Sequence, residues 1–302
     1  MMHDRQSRSA TGTKAVKRSF LNGRMPLCYT EWPHEGAPLA ILVHGSRDHS
    51  RSWDALAKVL LPHYHVIAPD LRGHGDSSWS QDGRYDFAAY LSDLGALTQH
   101  LALGPQRQAV LIGHSLGAHI ALRFAGTFPE TIRRLVAIEA IGAPRAIESY
   151  RLSQDSAQSL RNWLEERHAA SLTTPRLFAS IDEAVERMRE RHAFLTPAQA
   201  RHMTRHGLRR AGRAGWQWKH DPYLAVWALP DISTEDVRAL WRNVACPALL
   251  LYGECSWPSG LPADLLAAVP DVREVRLPGS GHWPQHDAFD ACMSAIMPFL
   301  AE

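Results

Sequence analysis

The chain alternates short apolar runs with longer helix-compatible stretches, and that alternation limits its fold more than any other feature. The runs are Leu39 to Val43, Tyr64 to Ala68, Gln108 to Ile112, Leu135 to Ile138, Ala248 to Tyr252 and Glu274 to Leu277. Each has the length of a strand buried on both faces, about four to eight residues. Between and after them lie Trp53 to Leu60, Phe87 to Leu103, Leu116 to Phe128, Leu261 to Val269 and Asp287 to Leu300, with the length and spacing of helices. Strand then helix, repeated, demands a mostly parallel sheet covered on both sides, because parallel neighbours need crossover connections. Ahead of the first run, Ser19-Phe20-Leu21 and Leu27-Cys28-Tyr29-Thr30 flank Asn22-Gly23. That dipeptide predicts an antiparallel hairpin with positive φ at both central turn positions. The expected fold is α/β, with an eight-stranded, mostly parallel sheet and helices on both faces.

The alternation breaks between Pro144 and about Asn243, where Arg, Glu, His and Gln dominate and no β-branched run occurs. This predicts an inserted helical cap over 145–243, dividing a core of 17–144 and 244–302. Within the cap, Ser180-Ile181-Asp182-Glu183 begins a helix reaching about His192, and Thr196-Pro197-Ala198-Gln199 begins another. Three or four helices are expected there. Residues 1–16 are polar and read as a loose tail.

Composition limits the partners. A chain of 302 residues with 45% hydrophobic content can bury one large core. Its 33 basic and 31 acidic side chains leave a formal charge of +2, so no global field points to nucleic acid or an anionic membrane. The four cysteines, Cys28, Cys246, Cys255 and Cys292, lack paired spacing, which argues against a disulfide framework or a zinc ribbon. A reducing, cytoplasmic setting is expected, since no apolar run reaches the roughly 20 residues of a membrane span and no secretory signal is apparent. No H-E-x-x-H, C-x-x-C or phosphate-loop pattern occurs, so neither metal nor cofactor is expected. The expected partner is a small-molecule substrate, with oligomeric state left open.

Gly113-His114-Ser115-Leu116-Gly117 fits G-x-S-x-G and follows the run ending at Ile112 directly. A sharp strand-to-helix turn there needs small neighbours beside the serine and would raise Ser115 above the sheet as a nucleophile. With that motif, the region from about Phe20 to the end resembles an α/β-hydrolase. His44-Gly45-Ser46 before Trp53 resembles the family's oxyanion loop, and Pro69-Asp70-Leu71-Arg72-Gly73-His74-Gly75-Asp76-Ser77 its glycine-rich turn. The resemblance implies an oxyanion hole built from the backbone N–H groups of Ser46 and Leu116. It also implies a base at His282, which lies in Gly279-Ser280-Gly281-His282-Trp283 after the last predicted strand.

The carboxylate departs from the commonest family pattern. An Asp usually follows the strand carrying Leu249-Leu250-Leu251-Tyr252, but here the stretch reads Gly253-Glu254-Cys255-Ser256, with Ser256 where the acid is expected. Glu139, ending the preceding core strand, is favoured as the acid, with Glu254 as the alternative. The placing of Glu139 is similar to that in some haloalkane dehalogenases, although those enzymes carry Asp at the position of Ser115. A serine favours attack on a carbonyl, giving an acyl-enzyme that water hydrolyses. The reading is therefore a cofactor-free serine hydrolase acting on a carboxylic ester or related acyl bond. A C–C hydrolase, a cofactor-free oxygenase and a ligand-binding receptor on the same fold are the alternatives. His114, Trp257 and Trp283 are candidate pocket residues, giving a lean towards a hydrophobic substrate. The cap arginines Arg201, Arg205, Arg209, Arg210 and Arg213 read as a solvated helix face rather than an anion site.

Overall fold

The computed structural model describes residues 14–140, 155–226, 228–229, 232–256 and 263–302. Its main sheet has eight strands: β1 (Val16–Asn22), β2 (Met25–Trp32), β3 (Leu39–Val43), β4 (His65–Pro69), β5 (Ala109–His114), β6 (Ile132–Ile138), β9 (Ala248–Gly253) and β10 (Val272–Leu277). They lie in the order β1-β2-β4-β3-β5-β6-β9-β10. Only the β1–β2 and β2–β4 pairs are antiparallel. The expected eight-stranded α/β fold is therefore present.

Side chains along the central strands sort alternately onto the two faces, as a two-residue period requires. Ile41, Val43 and Leu111 join one apolar cluster with Leu94 and Leu97 of α2 (Phe87–His100) and Phe124 of α3 (Leu116–Thr127). Ala40, Leu42, Val110 and Ile112 join the other, with Leu56 and Leu60 of α1 (Asp54–Leu60) and Ile296 and Phe299 of α10 (Phe289–Ala301). All residues of β3, β5 and β9 are buried. At about 1.5–3 kcal/mol per large apolar side chain removed from water, these strands fix the centre of the molecule.

Several local expectations shift. The hairpin forms, but Asn22 pairs with Met25, so the turn is Gly23-Arg24 and positive φ is confined to its glycine (58°). A glycine-first two-residue turn has that requirement. β1 begins at Val16, one residue inside the expected tail, and residues 1–13 lie outside the described ones. The helix expected over Leu261 to Val269 is α8 (Ala263–Leu266). The one expected from Asp287 is divided into α9 (Pro284–Asp287) and α10.

Between β6 and β9 the chain forms α4 (Ser156–Ser171), α5 (Ile181–Arg191), α6 (Pro197–Gly207) and α7 (Thr234–Arg242). Ser180 caps α5 and a Thr196–Gln199 capping box starts α6, as their sequences predict. The segment is not wholly helical. After Gly207 the chain turns into a hairpin, β7 (Leu208–Arg210) with β8 (Trp216–Trp218). Trp216 exchanges both backbone hydrogen bonds with Phe178 at 2.8 Å, and Phe178 packs edge-on to Trp218. The arginines read as one helix face are thus split: Arg201 pairs with Asp182, while Arg209 and Arg210 lie over Trp79 and Trp216.

Candidate active site

Ser115 stands between β5 and α3 with φ 52° and ψ −116°. Such backbone costs a non-glycine residue about 1–3 kcal/mol and persists only where the surroundings impose it. They do so here by close approach. A Cβ on Gly113 would lie 2.3 Å from the Gly117 carbonyl oxygen, and one on Gly117 would lie 2.2 Å from that of Val43. The Ser115 N–H is held by the Ile138 carbonyl at 2.8 Å, tying the turn to β6.

His282 reaches this turn from the loop after β10. Its Nε2 is 3.0 Å from Ser115 Oγ, and its Nδ1 is 3.0 Å from Glu139 Oε2. A carboxylate only accepts, so Nδ1 carries the proton and Nε2 is left to accept from the Ser115 hydroxyl. Glu139 is fully buried. Besides His282, Gly253 N–H donates to its Oε1 at 2.5 Å and Ser256 Oγ–H to its Oε2 at 2.6 Å. Three donors converging on two oxygens supply the compensation that a buried carboxylate needs.

Glu254, the alternative acid, is exposed, and its side chain has no hydrogen bond or ion pair among the described residues. Only its backbone is engaged, donating to the Leu277 carbonyl. Ser256 was weighed only as a missing acid, yet it holds Glu139 in place. The signal was available in the sequence, since a glutamate ending a central strand must find donors nearby.

The loop after β3 packs against Ser115: a Cβ on Gly45 would lie 3.3 Å from that of the serine. Ser46 is exposed there, and neither its N–H nor that of Leu116 has a hydrogen-bond partner among the described residues. At Leu116 this follows from its place at the start of α3, where helix N–H groups lack internal acceptors. His44 braces the loop from behind. Its Nε2 accepts from Leu71 N–H at 3.0 Å, so Nδ1–H donates to the Gly45 carbonyl at 2.7 Å. Burial pushes its pKa down to about 3, keeping the ring neutral in that role. The glycine-rich turn is also architectural: Asp70 accepts from Ser50 N–H and Asp76 N–H at 2.7 and 2.9 Å.

His114 ends β5, and only 1% of it is exposed. Its Nε2–H donates to the His282 carbonyl at 2.7 Å. Burial first, then the His282 charge, pushes its pKa well below the usual histidine range. It therefore supports the His282 loop from below and does not line a pocket, because burial leaves it no open face. Trp283 is half-buried and stacks on His192 of the inserted segment, ring centroids 4.3 Å apart. Trp257 lies outside the described residues.

Asp54, His202 and His206 could offer ligand atoms to a metal, all within 4.8 Å of one another. Arg51 already holds both Asp54 oxygens, at 2.7 and 2.6 Å. Burial, followed by the Arg51 charge, brings the His206 pKa down to about 4. A dication would have to displace that guanidinium, so the cluster carries no metal assignment.

Comparisons with known proteins agree with this architecture. Uncharacterized mycobacterial proteins are 34% identical over 110 residues, so the matched stretch is 36% of this chain and 31% of theirs. The 3-hydroxybutyrate-oligomer hydrolase of Cupriavidus necator is 27% identical, covering 90% of this chain and 91% of its own. The 2-(acetamidomethylene)succinate hydrolase of Mesorhizobium japonicum is 28% identical, covering 87% and 88%. Among solved structures, the thioesterase domain from the curacin biosynthetic pathway superposes with a TM-score of 0.78 at 24% identity, covering 94% of this chain and 99% of that domain, which shows a shared fold. The model of the alpha/beta hydrolase family matches residues 40–295. The chain belongs to that family.

Proposed function

We propose that the protein is a serine hydrolase that cleaves a carboxylic ester or related acyl bond of a small substrate through an acyl-enzyme. The observation that carries this reading is the continuous hydrogen-bonded chain from Ser115 Oγ through His282 to Glu139, with 3.0 Å at each step. In the proposed reaction Ser115 Oγ attacks the carbonyl carbon as His282 Nε2 takes the hydroxyl proton. The carbonyl oxygen becomes negative in reach of the Ser46 and Leu116 N–H groups. Collapse expels the leaving oxygen, which receives the proton from His282. Water then repeats the sequence, its proton going to His282 and its oxygen to the acyl carbon, so acid and free Ser115 are the products. Glu139, accepting from Nδ1–H, stabilises the imidazolium.

The segment between β6 and β9 acts in this reading as a cap, since His192 and Phe194 pack against the His282 loop. Relatives named for hydrolysing 3-hydroxybutyrate oligomers and 2-(acetamidomethylene)succinate support an acyl-bond hydrolase. The test is a panel of p-nitrophenyl esters of graded chain length with wild type and Ser115→Ala, alongside a fluorophosphonate label. Ser115→Ala should lose about 10⁴-fold or more in kcat and all labelling. Esterase activity surviving in that variant, or a label carried elsewhere, would overturn the assignment.

A further inference from the structure

We propose that α6 is a strut that holds the oxyanion loop and the His282 loop at one fixed separation, with Gln199 and His49 as its positioning residues. The inference rests on the reading of Ser115 as nucleophile and adds to it a requirement on the insert.

β3 and β10, which launch the two loops, are separated in the sheet by β5, β6 and β9. Neighbouring strands lie about 4.8 Å apart, so the launch points stand roughly 19 Å from each other. The loops must lean inward to meet at Ser115, and no hydrogen bond between their own strands sets how far. Acyl transfer needs the oxyanion donors and the base on one carbonyl together, and a misplacement of about 1 Å can cost a hundredfold.

α6 touches both loops within one helical turn. Gln199 Nε2–H donates to the His286 carbonyl at 2.8 Å, and His49 Nε2–H donates to the Met203 carbonyl, also at 2.8 Å. A third bond, from His202 Nε2–H to the Arg51 carbonyl at 2.9 Å, ties the same turn to the oxyanion side. Ala200, Met203, Thr204 and Gly207 are buried at the spacing of one helix face. Trp283, the residue after His282, packs against the cluster of Leu195, Ala200 and Met203, while a Cβ on Gly207 would lie 3.2 Å from His49 Cδ2. The His49 ring is buried, and the bond to Met203 is its single side-chain hydrogen bond among the described residues.

Each contact reaches the reacting groups through a stiff loop. Asp287, next to His286, accepts from Ser280 O–H at 2.6 Å and Gly281 N–H at 2.9 Å, immediately before His282. On the other side Asp48 accepts from His49 N–H at 2.8 Å and Ser52 O–H at 2.9 Å, closing the turn that follows Ser46. From the sheet domain His114 meets both loops, bonding the His282 carbonyl and standing 2.9 Å from where a Cβ on Gly45 would lie. α6 spans the same two loops from the insert.

Gln199→Glu keeps the oxygen that caps α6 at Thr196 and replaces the donor facing His286. His49→Leu removes the other bond. Each should lower kcat by about ten- to hundredfold with KM within about threefold, equally for p-nitrophenyl acetate and octanoate, since acetate is too short to depend on cap contacts. His49→Gln, whose amide can place an N–H at the same point, should retain most of the activity. The double variant should match the slower single within about twofold, because releasing either end releases the strut, whereas independent braces would multiply. Amide exchange should quicken in both loops, residues 45–52 and 280–287, in either single variant. Unchanged kcat, multiplying losses, losses with octanoate alone, or quickening confined to the loop that lost its bond overturn the strut. Turnover and Ser115 labelling in wild type would in that case leave the hydrolase reading standing. A wild type that neither turns over nor labels removes that reading, and exchange alone then judges α6. If Gln199→Glu fails to fold, exchange at 280–287 in His49→Leu decides.

Discussion

The sheet and the segment inserted after β6 are built on different principles. In α3, beneath Ser115, nine of the twelve residues are buried. In the sixteen-residue α4 only Ala170 is, and in α5 only Ala184 and Val185. Of the large apolar side chains left exposed, Leu160, Leu164, Leu172, Leu177 and Phe194 all belong to the inserted segment. Much of what joins it to the sheet domain is polar: His49 Nε2–H donates to the Met203 carbonyl, His202 Nε2–H to that of Arg51, and Tyr85 O–H to Asp221. The sheet holds a strained serine in place by close packing. α4 and α5 rest on that frame with few buried apolar side chains, whereas α7 joins the main apolar cluster through Trp241, so the first two can change without unfolding what lies beneath.

The most severe way to break this contrast is at the buried carboxylate. Glu139→Gln keeps the volume but replaces the acceptor facing His282 Nδ1, and kcat on a p-nitrophenyl ester should fall by about 10³–10⁴-fold. Glu254→Gln, at an exposed side chain, should stay within about twofold of wild type. Steady-state kinetics on the two variants decides between the acids, and the reverse ranking would move the acid to Glu254. Next in size is packing. Gly117→Ala places a Cβ against the backbone oxygens of Val43 and His44. Backbone cannot swing aside as a side chain does, so urea unfolding should report a loss of about 3 kcal/mol or more.

A third effect separates the sheet domain through protons. His44 and His286 are buried, with pKa values near 3 and 4. Both are near 6.5 in an unfolded chain. As pH falls below about 6.5 the unfolded state takes up protons that the native state refuses. Stability is therefore full above that pH, declines as acid is added and stops declining from this source below about 3. Each histidine contributes a slope of at most about 1.4 kcal/mol per pH unit. Unfolding midpoints at pH 7, 6 and 5 test the sign, and His44→Gln should flatten the curve.

What could be read in the sequence follows the same division. β3 and β5 were legible because runs such as Ala40-Ile41-Leu42-Val43 have no alternative to burial on both faces. Ser115 and His282 were legible because glycines and chain order fix their places. Glu139 was favoured over Glu254 because an ionisable group ending a central strand is partly buried and needs a partner, and because its place is similar to that of the acid in some haloalkane dehalogenases. Ser256 remained hidden, since a hydrogen bond to a residue 117 positions away leaves no local pattern. The β7–β8 hairpin was missed because its strands have three residues each and one carries adjacent arginines, too short for a two-residue period to register.

The smallest expected effect tests whether the insert is as loosely specified as its burial implies. Leu164 is 53% exposed on α4, and Arg189 pairs with Glu186 on α5 with both side chains about half exposed or more. An exposed ion pair contributes little, since water screens it and ordering two long side chains opposes it. Truncating a half-exposed leucine removes few contacts and creates no cavity. Leu164→Ala and Arg189→Ala should therefore each change the free energy of unfolding by no more than about 0.5 kcal/mol, and their double variant should be additive within error because no partner is shared. A loss of 2 kcal/mol from either would mean that α4 or α5 is clamped by contacts its exposure does not reveal. That helix would then count as part of the same folding unit as the sheet.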